Sequence, residues 1–180
     1  PENPVKRLEV HNLSVNNVYG LKALDNVGFT DNGGEILGIA GISGCGQKEL
    51  LECIAGLRDE EGGSVRFYPG DDARFEELTH CTPREIREHG VALSFVPEDR
   101  LGMGLIGNMD LADNMMLRSY NKGKSPFADR KAPAELAEKV VDELEVVTPG
   151  INVPVRNLSG GNVQKILVGR EIASEPTVLM

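Results

Sequence analysis

EILGIAGISGCGQKELLECIAG, residues 35–56, is the stretch whose reading decides the fold. The run 36–40 is short, apolar and bounded by glycines, the pattern of a strand buried on both faces of an α/β sheet. Gly41, Ser43, Gly44, Cys45 and Gly46 follow as a glycine-rich turn. Leu50, Leu51 and Ile54 then recur at helical spacing, and Gly56 is a natural stop. The stretch therefore predicts strand, loop, helix. Glycines in such a loop let backbone amides curl around an anion while the helix N-terminus adds partial positive charge, so phosphate is the natural guest. A tight turn without any ligand has the same composition, and this segment alone leaves both readings open.

Upstream, Leu8 and Val10, then Val27 and Phe29, alternate with polar residues and predict half-buried antiparallel strands. Downstream, 64–68 reads as a strand, and Thr82, Pro83 and Glu85 open a helix through a capping box and a first-turn proline, with Gly90 at its end. Residues 91–96 predict another buried strand, and the polar, glycine-rich 97–108 an exposed loop. From 111 to 147 the pattern is helical, with Leu136, Val140 and Leu144 on one face. A stiff connector, 148–157, carries Pro149, Gly150 and Pro154 into Leu158, Ser159, Gly160 and Gly161. The helix that follows has Val163, Ile166, Leu167 and Ile172 as its expected buried stripe. Residues 177–180 begin a further apolar strand, which predicts a fragment of a longer protein.

At 180 residues the chain suits one core, with room for a small subdomain. A net charge of −9 disfavours a nucleic-acid backbone as partner, since that needs clustered Lys and Arg. No apolar run approaches the roughly 20 residues that span a bilayer, and no targeting pattern opens the sequence, so a membrane role is expected only through a partner. Cys45, Cys53 and Cys81 form no CxxC pair and suggest neither a disulfide framework nor a zinc site; a reducing cytoplasm fits best. His11, His80 and His89 share no spacing that suggests a role.

A second motif changes the weight of the first. Leu158, Ser159, Gly160, Gly161 and Asn162 open another helix, and together with the glycine loop they resemble the ATP-binding-cassette (ABC) family, whose signature usually reads LSGGQ. The resemblance covers nearly the whole chain. It implies an α/β, P-loop NTPase-like cassette with a mixed central sheet, an N-terminal antiparallel β subdomain and an α-helical subdomain, stopping before the Walker B part. The expected organisation is one partial nucleotide-binding domain over 1–180, with an ATP-binding core at 1–100, a helical subdomain at 101–157, and the signature helix and next strand at 158–180. The segments 34–57, 96–100 and 157–165 look like the second cassette of simple-sugar and nucleoside importers. That branch carries two fused cassettes and has GxxGxGQ, PEDR and LSGGN variants, all present here.

The resemblance implies ATP as cofactor. Its contacts would be Tyr19; Gly41, Ser43, Gly44, Cys45, Gly46, Gln47, Lys48 and Glu49; Glu98; and Leu158, Ser159, Gly160, Gly161 and Asn162. Aligned by its glycines, the loop places Gln47 where the family has a lysine on the β and γ phosphates, and Lys48 where a hydroxyl holds magnesium. A neutral bond in place of a charge-assisted one forfeits on the order of 1 kcal/mol. Lys48 cannot ligate magnesium, which is expected to be weak or absent here, and a one-residue slip would rotate its side chain by roughly 100°.

Tyr19 stands where the family stacks an aromatic ring on adenine, although packing at a strand edge is an equal reading. Glu98 replaces the Q-loop glutamine, while Asp99 and Arg100 read as solvated loop charges. Cys45 reads as a small loop residue, despite a setting that favours thiolates.

The implied partners are a second cassette, fused in the same subunit, and transmembrane permease subunits, at the cytoplasmic face of the membrane; no nucleic acid is implied. No catalytic residue is assigned, because the Walker B aspartate and catalytic glutamate are expected beyond Met180. Three functions compete: an importer's energy-coupling cassette, a non-hydrolysing nucleotide-binding or structural module, and a soluble cassette ATPase that the acidity disfavours. In such head-to-tail pairs each ATP lies between one domain's phosphate loop and the other's signature, so this chain is expected chiefly to complete its partner's site.

Overall fold

The computed structural model describes residues 4–70, 73–117 and 130–180. The chain divides into two compact units, Pro1–Leu93 and Ser94–Met180.

The first unit is built on an antiparallel sheet. β1 (Lys6–Asn16) pairs with β2 (Lys22–Asn32), Val10 opposite Phe29 and Leu13 opposite Val27. β3 (Gly62–Phe67) flanks β1 on the other side and β4 (Glu76–Glu77) completes the order β2-β1-β3-β4. The register shifts between Val10 and Leu13, where Asn12 takes a φ of 50°. That one-residue bulge keeps Leu8 and Val10 on the same face as Leu13 and Val15, and all four are buried. Burying each such side chain contributes about 1.5–3 kcal/mol. α1 (Gln47–Ile54) buries Leu50, Cys53 and Ile54, and α2 (Pro83–Glu88) buries Ile86. The expected capping box is present: Thr82 accepts from the Glu85 amide, and Glu85 accepts from the Thr82 amide.

One expected element differs. Residues 36–40 form no strand, and Ile36 is 98% exposed. A strand is defined by a neighbour that takes its backbone groups, and among the described residues no hydrogen-bonded ladder reaches this run.

The second unit is helical. α3 (Leu111–Met116), α4 (Lys131–Glu143) and α5 (Gly160–Ala173) enclose Leu111, Met115, Ala137, Val140, Ile166 and Leu167. The inward stripe of α4 is Pro133, Ala137 and Val140, while Leu136 and Leu144 pack at its margin. The predicted face is thus rotated, because small Ala137 lets α4 approach its neighbours more closely than a leucine would. Ile172, expected to be buried, is 52% exposed. The part of the expected helical stretch at 118–129 lies outside the described residues.

β5 (Leu93–Ser94) is shorter than the predicted 91–96 and pairs with β6 (Val178–Leu179). The Met180 amide donates to the Ser94 carbonyl and the Met180 carbonyl accepts from the Val96 amide, a parallel pattern. The expected loop 97–108 contains a π-turn at Arg100–Gly104. It is pinned from below by Arg170, whose Nη2 donates to the Gly104 carbonyl at 2.7 Å while pairing with fully buried Glu171 at 2.8 Å. Buried Asn114 donates to the carbonyls of Ile106, Met109 and Asp110 and accepts from the Ile106 amide. Among the described residues no helix is long and apolar enough to cross a membrane.

Candidate functional site

The candidate residues fall into separate groups in the two units. In the first, α1 starts at Gln47 with Gly46 as its N-cap, at φ 90° and without a side-chain cap. The first-turn amides of an uncapped helix have no internal acceptor and are open to an external one. Gly46 has to be glycine, since a Cβ there would lie 2.6 Å from the Ala23 carbonyl oxygen in a left-handed conformation. Gly41, Ser43, Gly44 and Cys45 are exposed, and the Cys45 amide donates to the Ile42 carbonyl at 3.2 Å. Gln47 turns its side chain back across the loop: its Nε2 lies 2.6 Å from where a Cβ on Gly41 would stand.

Lys48 goes the other way. Its ammonium lies 3.7 Å from Glu52, one turn along α1, with the Lys48 side chain 63% exposed and that of Glu52 largely buried. Glu52 is itself held by Arg58, with Nη2 at 2.7 Å and Nε at 3.0 Å. Glu49 is partly buried in the first turn. The loop's donors are backbone amides, the Ser43 hydroxyl and the neutral Gln47 side-chain amide, a set that suits an anion such as a phosphate. Among the described residues no cluster of three His, Cys, Asp or Glu could hold a metal.

Tyr19 occupies the β1–β2 turn, 84% exposed, where the Asn17 side chain accepts from the amides of Tyr19 and Leu21. At that exposure Tyr19 is not a core packing residue.

In the second unit Ser159 is the N-cap of α5. Its Oγ accepts from the Asn162 amide at 3.4 Å and from Asn162 Nδ2 at 3.0 Å. Asn162 Oδ1 in turn accepts from the Val147 amide at 3.0 Å, and Lys165 donates to the Glu145 carbonyl at 2.9 Å. The first turn of α5 is thereby tied to the segment after α4. Ser159, Gly160 and Gly161 are exposed and Leu158 is partly buried against the helical core. The amides of Gly160 and Gly161, at the first two helical positions, face outward with the partial positive charge of a 14-residue helix behind them.

Glu98 is exposed. Asp99 and Arg100, expected as solvated charges, are structural instead: Asp99 accepts from the Gly102 amide at 2.8 Å, and Arg100 Nη1 donates to the Gly160 carbonyl at 3.1 Å. The sequence did hold a signal for Asp99, an Asp ahead of a turn with Gly three positions on. It held none for Arg100, whose partner is sixty residues away.

A family model described as ABC transporter matches residues 24–180. The chain is 37% identical, over all of its length and 32% of the relative's, to a glucose import ATP-binding protein of Haloferax volcanii. It is 32% identical, over 96% of its length and 33% of the relative's, to a guanosine import ATP-binding protein of Bacillus subtilis. The chain thus spans about a third of the length of these curated relatives. Among solved structures, a dimeric ATP-binding cassette bound to ADP and phosphate superposes with a TM-score of 0.76 at 22% identity, over 96% of this chain and 72% of that one. That likeness establishes the P-loop NTPase cassette fold.

Proposed function

Since the chain belongs to the ABC transporter family of ATP-binding domains, we propose that it is one cassette of an importer for sugars or nucleosides, and that its main contribution is the signature segment 158–162. The proposal takes 1–180 as one partial domain with an ATP-binding core, a helical part and the signature helix. ATP is the ligand, a second cassette and membrane permeases are the partners, and the cytoplasmic membrane face is the location. The sugar and nucleoside import named for the relatives supports the choice of cargo class.

One observation carries the division of labour: the Lys48 ammonium is paired with Glu52 one turn along α1, whereas Ser159, Gly160 and Gly161 stand exposed at a capped helix start. The loop at 41–47 holds phosphate through backbone amides, the Ser43 hydroxyl and the neutral Gln47 amide. Lys48, at the position where the family has a magnesium-binding hydroxyl, cannot ligate the metal, and no step is assigned to the metal on this chain. Ser159 and the amides of Gly160 and Gly161 present donors to a terminal phosphate held by the opposing cassette, where charge develops during hydrolysis.

In the full subunit assembled with its permease, Gly160→Trp is expected to reduce ATP turnover and transport at least tenfold, and Gln47→Ala less than threefold. The reverse ranking overturns the proposal. A non-hydrolysing nucleotide-binding module is the second reading, favoured by the same outward Lys48. It predicts that the full subunit turns over no ATP in any permease-bound state.

A further inference from the structure

The signature serine does more than cap its helix, and the geometry around it fixes which way its proton points. A serine hydroxyl has one hydrogen to donate and two lone pairs that accept. At Ser159 two donors arrive from one residue: the Asn162 backbone amide at 3.4 Å and Asn162 Nδ2 at 3.0 Å. The orientation of the Asn162 amide group is set independently. Its oxygen takes the Val147 N–H at 3.0 Å, and turning the group over would put its NH2 against that N–H and its oxygen against Ser159. Nδ2 is therefore the atom facing Ser159, and the Ser159 oxygen is an acceptor twice over. Its own O–H is left to point away from Asn162, on an exposed side chain that no acceptor faces among the described residues.

We infer that Asn162 is a positioning residue that holds the Ser159 hydroxyl as an outward hydrogen-bond donor toward the terminal phosphate of a nucleotide. This rests on the proposed role of the signature. The Val147 amide, fixed by the chain just after α4, is the far end of the relay, so the donor direction depends on how α5 is docked on its own helical unit. No bond is made or broken in this role. Asn162 reverses nothing chemically; it removes the alternative in which the serine spends its proton on its own helix.

The test is a double-mutant cycle in the full subunit with its permease, reading kcat and KM for ATP together with Tm. Asn162→Asp is nearly isosteric, and its carboxylate accepts, so the Ser159 proton turns inward. An acidic residue at this third helical position favours the helix, so Tm is expected not to fall. The expected result is a tenfold or greater loss of kcat for N162D, a similar loss for Ser159→Ala, and no further loss in the double variant. If N162D does not accumulate folded, Asn162→Ala takes its place in the same cycle, with the same absence of additivity expected.

N162D within twofold of wild type, beside a crippled S159A, overturns the inference and leaves the proposed function standing. A double variant far below S159A also overturns it, because that is charge repulsion acting without the serine. If S159A and G160W are both as active as wild type, the proposed role of the signature has failed instead.

Discussion

Two of the three cysteines, Cys45 and Cys53, show how residue-scale chemistry follows from local surroundings. Cys45 is exposed in the glycine loop, whereas burial, with the nearby Glu60 carboxylate, pushes the Cys53 thiol up to about 12. At pH 8 a thiol-alkylating reagent is therefore expected to label Cys45 well before Cys53, as read by peptide mass spectrometry. Saturating ATP should slow labelling of Cys45 several-fold, and an unchanged rate would count against phosphate at 41–47. The residue types at this loop were legible from the sequence because glycine, with no Cβ, is chemically conspicuous where the backbone turns. The direction of each long side chain was not. Gln47 and Lys48 are adjacent, yet one folds over Gly41 and the other pairs with Glu52. Arg58, six residues beyond Glu52, fixes that carboxylate on its other side.

Elements were read best where a local rule governs them. The α2 start is the plainest case, since Thr82, Pro83 and Glu85 act within one turn. The Glu85 carboxyl is held below its usual value of 4.5, first by the Thr82 hydroxyl and then by the Thr82 amide. A depressed acid stabilises the fold above its unfolded pKa and loses that contribution as pH falls through the folded one. Thr82→Ala should therefore lower Tm at pH 7, and the gap from wild type should narrow below about pH 4.5.

Helix packing follows a less local rule. On α5, a Cβ at Gly169 would lie 2.6 Å from Val140 Cγ1 of α4, a stiff β-branched partner. Gly169→Val is expected to cost about 1–3 kcal/mol in denaturant unfolding. Gly169→Ala places that same Cβ against Val140 and should also destabilise, though less than valine, because alanine regains about 1 kcal/mol of helix propensity.

At the scale of the molecule, the proposed function makes this cassette one half of a pairwise device in which its own loop and its signature would serve different nucleotides. With the other cassette's phosphate-loop lysine replaced in the full subunit, ATP bound at 41–47 reports on this chain alone. Calorimetric titration is then expected to give an affinity that changes less than threefold between magnesium and EDTA, since Lys48 stands where the family's metal-binding hydroxyl would be. A tenfold dependence on magnesium would contradict that reading.

The sequence by itself determined the family, most of the elements in their order and the two motifs proposed to face nucleotide. Those depend on short-range regularities: glycine at turns, a capping residue, apolar spacing along a helix. Tertiary structure decided which way the charged and amide side chains point, through partners remote in sequence. Arg100 meets Gly160, Asn162 meets Val147, and Arg170 meets Gly104, each across a fold that no local pattern encodes. Residues 36–40 mark the same boundary from the other side. Their apolar composition suits a strand, but a strand needs a neighbour to complete its hydrogen bonds, and composition cannot supply one.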